Sequence, residues 1–387
     1  MSPSFWKRWV IVATSLVVGA CASTQVERMD EVTELKRDEA AIWQESEKAA
    51  AGIIRSLATD DQNLQVYVES VLERLVAAST TLAPDRRPKI TVLDDVVANA
   101  AAMPHGDLFI THGMLAQINN EAQLAFVLGH EIVHYRRRHA LISQRFARNQ
   151  RTKSVLVGVA LTAMSGVPIT NDNESAWQLA LNSGYSRELE TESDLAALEI
   201  MAASGYDIRE AVPALEKLRR DRSGVRNPLF ASHPDIDTRV ETVQAQLEIL
   251  APSVSNETNE PRYAKATDHL IVPQTLALID NGELTMATAM LHRYLHKYPG
   301  NPEALFAFGE SIRATSSSRE TSIEAAEYYQ QAVDGGNAPA AAYRELGLHY
   351  RLMAESAKAD QFFREYLKLA PDAIDAPLIE TYLREEP

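Results

Sequence analysis

The feature that most constrains this chain is a His-Glu-x-x-His pattern, which runs from His130 through Glu131 to His134. It lies in an apolar stretch, residues 122–135, that predicts a buried helix. On a helix the two histidines lie one turn apart on the same face. Two neutral imidazoles placed in this way can hold one zinc ion, and Glu131 then stands beside the open position of the metal.

A less specific interpretation of the pattern is a surface helix with two unrelated histidines. The apolar flanks argue against it, because charged and imidazole side chains in a buried helix need partners and a metal ion is a natural one. A third donor is also available further along the chain, where an acidic helical segment follows. We therefore favour a metal site over a solvated helix face.

The acidic segment, residues 186–201, has helical periodicity and places Glu190 and Asp194 four positions apart on one face. A catalytic zinc takes three protein ligands and one water, so Glu190 could supply the third ligand. Asp194 could accept the Nδ1 proton of a ligand histidine and thereby fix its tautomer. Arg187 could neutralise one of the two carboxylates. A solvated acidic helix face remains the alternative, and the spacing alone would favour it.

Four motifs in this order resemble the zinc metallopeptidases that include HtpX and the CAAX prenyl proteases, especially the periplasmic members with tetratricopeptide repeats. The other three motifs are Ser-Arg-x-x-Glu-x-Glu-x-Asp at 186–194, Asn-Ala-x-x-x-Pro-x-Gly at 99–106, and His233-Pro234 with Arg239. Gly129 stands where that family often has Ala, a change that weakens a helix by about 1 kcal/mol.

The resemblance implies both a fold and a set of roles. The fold is of the α+β class, a mostly helical gluzincin-type metallopeptidase domain with a small β-sheet. His130, His134 and Glu190 would be the zinc ligands of one ion per chain. Glu131 would be the base, and Asp194 would support a ligand from behind.

The roles of His233 and Arg239 stay open at this stage. Either side chain could stabilise negative charge that develops on the substrate. A mobile loop could instead place His233 on the open zinc position and hold the enzyme latent, or His233 could be a supporting or capping residue. His139 lies roughly 140° around a continuous helix from His134, so we do not predict it as a ligand.

Three strands are expected ahead of the helix with the two histidines, at residues 89–93, 96–103 and 108–111. Asn99 and Ala100 are predicted to form an exposed edge that pairs with an extended substrate backbone. A later apolar segment, residues 155–169, is too short to span a membrane. It is either a buried core helix or a hydrophobic lip near the cleft.

The N-terminus has the pattern of a secretory signal. Lys7 and Arg8 precede a short apolar stretch, and small residues stand before Cys21, the single cysteine of the chain. This pattern resembles a bacterial lipobox, which implies lipidation of Cys21. The residue after the cysteine, Ala22, implies sorting of the lipoprotein to the outer membrane, on the side that faces the periplasm. The net charge of −15 disfavours nucleic-acid binding and adhesion to anionic lipid, so the acyl chains would provide the anchor.

The C-terminal part carries an internal repeat. The spacing of Ala287, Leu291, Tyr294 and Pro299 recurs at Ala359, Phe363, Tyr366 and Pro371, and Ala325, Tyr329 and Ala332 fit between the two sets. Such spacing is typical of tetratricopeptide (TPR) repeats, in which about 34 residues form one helix pair. Stacked pairs make a concave surface that usually binds protein. A helical bundle with coincidental spacing is the alternative.

The predicted organisation has five parts. They are a signal peptide at 1–20, a tether with an N-terminal helix at 21–45, a zinc metallopeptidase domain at 46–250, a polar linker at 251–263, and all-α TPR-like repeats at 264–387.

These features predict a lipid-anchored periplasmic zinc endopeptidase that degrades unfolded or misassembled envelope proteins, with repeats that recruit clients or a partner protein. The alternative is a chaperone or scaffold lipoprotein whose zinc site is latent or structural. The intact Glu131 argues against that alternative, because a structural site does not need it. A hydrolase of peptidoglycan cross-links also fits zinc and the compartment, but the sequence contains no recognisable wall-binding repeat.

Overall fold

The computed structural model of the protein describes residues 26–29, 35–79, 86–146, 185–218, 236–250 and 255–384. These residues divide into an N-terminal unit that ends at Ala266 and a C-terminal unit that begins at Thr267. The predicted signal peptide, Cys21, the apolar segment 155–169 and His233 lie outside the described residues. Within the described ranges, no helix combines the length and apolar character needed to cross a bilayer.

Two helices open the N-terminal unit, α1 (Arg37–Leu57) and α2 (Gln62–Ser79). The buried positions of helix α2 recur every three or four residues, as the apolar face of a helix requires. Helix α1 packs Ala50 and its neighbours onto a small apolar cluster of the sheet that includes Met103 and Phe109.

The sheet contains three short strands: β1 (Lys89–Leu93), β2 (Ala100–Ala102) and β3 (Asp107–Thr111). Their order is β1-β3-β2, so β2 lies at one edge. Strand β1 runs parallel to β3 with Lys89 opposite Asp107, and β2 runs antiparallel to β3 with Ala100 opposite Ile110.

The predicted strand at 96–103 is wrong over its first half, because only residues 100–102 form a strand. The hydroxyl of Thr111 donates to the carbonyl of Val97 at 2.7 Å and accepts from the backbone N–H of Asn99 at 2.9 Å. The N–H of Gly113 donates to the carbonyl of Asp95. These backbone groups therefore pair with a side chain and with the start of a helix instead of with a neighbouring strand.

Helix α3 (His112–Gln117) leads directly into α4 (Glu121–Arg136), which confirms the helix predicted over 122–135. Every α4 residue up to Tyr135 is buried, as expected for a helix that is apolar on all sides. Its start is fixed by Asn120, whose side chain accepts a hydrogen bond from the N–H of Gln123 at 2.9 Å. After a turn at 137–138 the chain is helical again over residues 139–146.

The unit continues with α5 (Arg187–Ala203), a single 3-10 turn (Ile208–Glu210), α6 (Ala211–Leu218) and α7 (Ile236–Leu250). Helix α5 begins at a Ser186 cap and ends before Gly205, which has a φ of 78°. It packs along α4, and this pair of helices is the frame of the site described below.

The next helix, α8 (Glu260–Asp280), begins in the N-terminal unit and ends in the C-terminal one. Of the predicted linker, residues 255–263 belong to the N-terminal unit. The remaining helices are α9 (Leu284–Lys297), α10 (Pro302–Arg313), α11 (Arg319–Asp334), α12 (Ala340–Leu352), α13 (Ser356–Leu369) and α14 (Ala376–Arg384). Each of them packs against the next along the chain.

Candidate metal centre

Helix α4 brings two imidazole rings together. The Nε2 atoms of His130 and His134 are 2.8 Å apart, and the two rings meet nearly edge to face with centroids separated by 4.5 Å. Both side chains are buried, with exposed fractions of 5% and 2%. Glu131, between them in sequence, is also buried. The helical spacing that the sequence predicts therefore produces a convergent pair of nitrogen donors in a buried site.

Helix α5 contributes the carboxylate. Glu190 is fully buried, and its two oxygens lie 3.5 Å from the Nε2 atoms of His130 and His134, respectively. Small residues allow this approach, because the position of a Cβ at Gly129 would be 3.5 Å from the Cβ of Ala197 on α5. The close packing of two helices thus completes a three-donor cluster from segments 60 positions apart in the chain.

The donor set fits a zinc ion. One ligand atom from each of His130, His134 and Glu190 can be chosen so that all lie within 4.8 Å of one another. In tetrahedral zinc sites with bonds of about 2.0–2.1 Å, ligand atoms lie about 3.3 Å apart, close to the 2.8–3.5 Å found here. Two imidazole nitrogens facing each other also require a proton or a cation between their lone pairs.

A buried ionic network holds this cluster from behind. His130 Nδ1 lies 2.9 Å from an oxygen of Asp194, and Arg239 donates to both oxygens of Asp194 at 2.7 Å each. Arg239 also reaches Glu190, with its third guanidinium nitrogen 3.0 Å from a carboxylate oxygen. The guanidinium therefore bridges Glu190 and Asp194 and restrains the orientation of both.

The electrostatics of the cluster favour a cation. Burial lowers the pKa of His130, but hydrogen bonds to Asp194 and Glu190 outweigh it and raise this pKa to about 9. Burial raises the pKa of Asp194, yet Arg239 and His130 bring it below its ordinary value, so this carboxylate stays ionised. Positive charge at the imidazole nitrogens is thus strongly stabilised by the surrounding carboxylates.

Two residues that sequence reasoning did not use lie against His134. Tyr185 stacks on its ring with centroids 4.1 Å apart and an interplanar angle of 23°. His139 places its Nδ1 2.9 Å from Nδ1 of His134. The assumption of a continuous helix over residues 134–139 was wrong, because helix α4 ends at Arg136 and Arg138 adopts a left-handed φ of 59°. Without Gly or Pro at that turn, the sequence contains no signal for it. His139 is not among the three residues of the donor cluster, as predicted.

The remaining predicted residues lie in different places. Arg187 is exposed in the first turn of α5. Asn99 directly precedes the edge strand β2, Ala100 is its first residue, and β2 packs against α4. The prediction that this edge is exposed is wrong at Ala100, which is 1% exposed, whereas Asn99 is half-buried. The sequence thus brings the edge strand and the donor cluster to neighbouring elements.

Chains that join two helical histidines one turn apart to a carboxylate on a second helix, with a glutamate after the first histidine, are metallopeptidases of the His-Glu-x-x-His class. Residues 62–247 match the sequence model of peptidase family M48, whose members depend on zinc. This part of the chain is a zinc metallopeptidase domain of family M48.

Curated relatives agree with this assignment. The chain is 29% identical over 184 residues to the mitochondrial metalloendopeptidase OMA1 of Schizosaccharomyces pombe, covering 47% of this chain and 52% of that protein. It is 23% identical over 247 residues to the beta-barrel assembly-enhancing protease of Escherichia coli, covering 61% and 48%. The Saccharomyces cerevisiae OMA1 is 27% identical over 201 residues, covering 48% and 56%. The chain therefore spans about half the length of these relatives.

Proposed function

We propose that this protein is a zinc-dependent endopeptidase that cleaves unfolded or misassembled proteins of the bacterial envelope. The observation that carries the proposal is the convergence of His130, His134 and Glu190, whose ligand atoms lie within 4.8 Å of one another in a buried site. The family assignment supports peptide-bond hydrolysis as the chemistry of this site.

His130, His134 and Glu190 would hold the zinc. When bound, zinc supplies the Lewis acidity that brings a water molecule to reactivity near neutral pH. Glu131 takes the proton of the attacking water and passes it to the leaving amide nitrogen. Because Glu131 is 2% exposed, few bulk waters compete for this proton. The residues of α4 thus combine metal binding with proton transfer.

Supporting residues orient the ligands. Asp194 accepts the Nδ1 proton of His130, which directs the lone pair of Nε2 toward the metal. Since Arg239 contacts both Asp194 and Glu190, we assign it to holding the ligands in place. His233 remains the proposed residue for substrate charge or for a latent state, and in the latter case His233→Ala would raise basal proteolysis. For Arg187 we propose screening of the acidic first turn of α5.

The substrate would lie along strand β2. This strand lies at one edge of the three-stranded sheet, and an extended peptide can pair with an edge strand. Asn99, just before it, has a buried side-chain oxygen that no group of the described residues satisfies. We propose that Asn99 and Ala100 bind the substrate backbone beside the metal.

The deciding experiment is Glu131→Gln in the purified protein, assayed with an unfolded casein. We expect the variant to retain zinc and to lose cleavage by at least about 100-fold, the usual contribution of a general base. Glu199→Gln, at an exposed position of α5, is the matched control and should cleave normally. Cleavage that survives in Glu131→Gln would overturn the assignment of the base. If even the wild type binds clients without cutting them, the protein is a scaffold.

The location and the clients rest on other features. The lipobox-like Cys21 would attach the protein to the inner leaflet of the outer membrane. The name of the Escherichia coli relative, a beta-barrel assembly-enhancing protease, points to outer-membrane proteins as clients. A Cys21→Ala variant should lose labelling by fatty acid and move from the membrane to the soluble periplasmic fraction.

The C-terminal unit would recruit proteins through TPR-like repeats. A Cβ at Gly309 would be 2.4 Å from the ring of Tyr329, and one at Gly347 would be 2.4 Å from the ring of Phe363. The pairs α10–α11 and α12–α13 thus each place an aromatic side chain of the second helix on a glycine of the first, an arrangement that supports a repeat. Capture of bound proteins by the Glu131→Gln chain, with and without a disrupting Gly347→Leu change, would test whether this unit binds clients.

A further inference from the structure

The turn that follows helix α4 brings His139 back against the metal centre. Helix α4 ends at Arg136, and the left-handed conformation of Arg138 redirects the chain before residues 139–146 become helical. As a result, the fully buried ring of His139 meets that of His134 with centroids 4.8 Å apart and an interplanar angle of 81°. The side chain of Arg138 is held by Glu39, which anchors the turn.

The contact between these rings constrains where protons reside. The Nε2 atom of His134 faces His130 and Glu190 at 2.8 and 3.5 Å, so it must keep its lone pair for the metal. The proton of neutral His134 is then on Nδ1, 2.9 Å from Nδ1 of His139. Two nitrogens at this distance share one proton, and therefore Nδ1 of His139 must accept it.

The surroundings of the other ring nitrogen of His139, Nε2, are compatible with this placement of the protons. With Nδ1 as acceptor, neutral His139 carries its proton on Nε2, and an oxygen of Glu192 lies 3.4 Å from that atom. This contact is not a well-aligned hydrogen bond, since Nε2 has no partner among the described residues that meets hydrogen-bond geometry. Glu192 is itself held by Arg137, at 3.0 Å. The hydroxyl of Ser193 lies 3.4 Å from Nδ1.

The two histidine ligands are thus supported in different ways. His130 is held by the carboxylate of Asp194, which Arg239 anchors. His134 is held at its edge by a neutral imidazole and at its face by the stacked ring of Tyr185. A partner that accepts the Nδ1 proton of a ligand histidine commonly accounts for 10–100-fold in metal affinity.

We infer that His139 is a positioning residue of the zinc site: it accepts the Nδ1 proton of His134 and so fixes the tautomer and orientation in which His134 binds metal. The inference rests on the proposed function, because it assigns a role relative to the same metal. It concerns affinity and ligand geometry, both of which can be measured without proteolysis.

The test compares zinc affinity, by competition with a chromophoric chelator, among full-length variants. His139→Asn keeps an acceptor oxygen near the position of Nδ1, whereas His139→Gln moves it toward the position of Nε2 and His139→Phe removes it. We expect the Phe and Gln variants to bind zinc about 10–100-fold more weakly and the Asn variant to recover most of the loss. The visible spectrum of Co²⁺ in the same site should change in the Phe and Gln variants and return in the Asn variant.

His112→Phe is the matched control, because His112 is another buried histidine whose ring nitrogens contact Thr59 and Asp94. It should leave zinc affinity unchanged. Equal zinc affinity of the Asn and Gln variants, or wild-type affinity in a folded His139→Phe protein, would overturn the inference while leaving the peptidase assignment intact. A wild-type protein that binds no zinc would overturn both.

Discussion

Arg262 donates from one guanidinium nitrogen to both carboxylate oxygens of Glu121, at 2.9 Å each. Glu121 stands in the first turn of α4, where the positive end of the helix dipole favours a carboxylate. Tyr67 and Tyr206 donate their hydroxyls to the same group at 2.9 and 2.8 Å. The family match ends at residue 247, so a residue beyond it helps to anchor the helix that carries His130 and His134.

Replacement of Glu121 by Gln should therefore destabilise the N-terminal unit. The side chain is fully buried, and the change leaves two tyrosine hydroxyls and Arg262 without an ionised acceptor. We expect the free energy of unfolding to fall by about 2–4 kcal/mol, measured by urea denaturation with circular dichroism. Glu260→Gln, exposed at the start of α8, should change it little. Equal midpoints for the two variants would contradict this assignment.

A second buried ion pair joins α1 to the end of α4. Arg138 donates to both oxygens of Glu39, whose exposed fraction is 2%. Glu39→Ala should lower the free energy of unfolding by about 3–5 kcal/mol, because it leaves the buried guanidinium of Arg138 without its carboxylate partner. Glu47→Ala, exposed on the same helix, makes the same change in helix propensity and should stay within about 0.5 kcal/mol of wild type. A similar loss in both variants would mean that the pair contributes nothing specific.

Removal of zinc should lower the thermal stability of the wild type. A ligand that binds only the folded state adds about 2.7 kcal/mol when its free concentration is 100 times Kd. Chelator should therefore reduce Tm in a scanning fluorimetry experiment, and added zinc should restore it. His134→Ala, which lacks one donor of the cluster, should show no response to either. A wild-type Tm that does not change when chelator is added would count against a metal bound by His130, His134 and Glu190.

Gly129→Ala should stabilise the protein without harming cleavage. Alanine is favoured over glycine in a helix interior by about 1 kcal/mol, and the added Cβ would make an ordinary contact with Ala197 at 3.5 Å. Gly52→Ala, in α1 with nothing within 4 Å of the new Cβ, is the matched control for helix propensity alone. Equal gains would show that α4 and α5 accommodate a methyl group at this point. A loss in Gly129→Ala alone would show that the glycine is needed for their approach.

The helix with the two histidines and the carboxylate helix were predictable because their signals are local. An unbroken apolar run and a cap at Asn120 define α4, and a cap at Ser186 with a later glycine defines α5. The pairing of Asp194 with an imidazole followed from the usual support of metal ligands, and the structure places it at His130. Short-range rules thus supplied the elements and their polar faces.

Other features depend on contacts that no local rule encodes. The left-handed turn at Arg138 is stabilised by Glu39, almost a hundred positions earlier, so the return of His139 could not be read from spacing. The second strand was predicted too long because the hydroxyl of Thr111 takes backbone groups that a strand partner would otherwise bind. At the Arg138 turn and at residues 97–99, a side chain distant in sequence forms the contact, and a periodic pattern contains no signal for such a contact.

Strand β2 consists of three alanines, Ala100–Ala102. Because alanine carries only a methyl group, the strand itself offers a substrate no deep pocket that could select large side chains over small ones. Binding would then depend on whether a segment of the substrate can become extended, and only locally unfolded proteins satisfy that condition. If substrates bind along this edge, their selection would depend on local unfolding and very little on their amino-acid sequence.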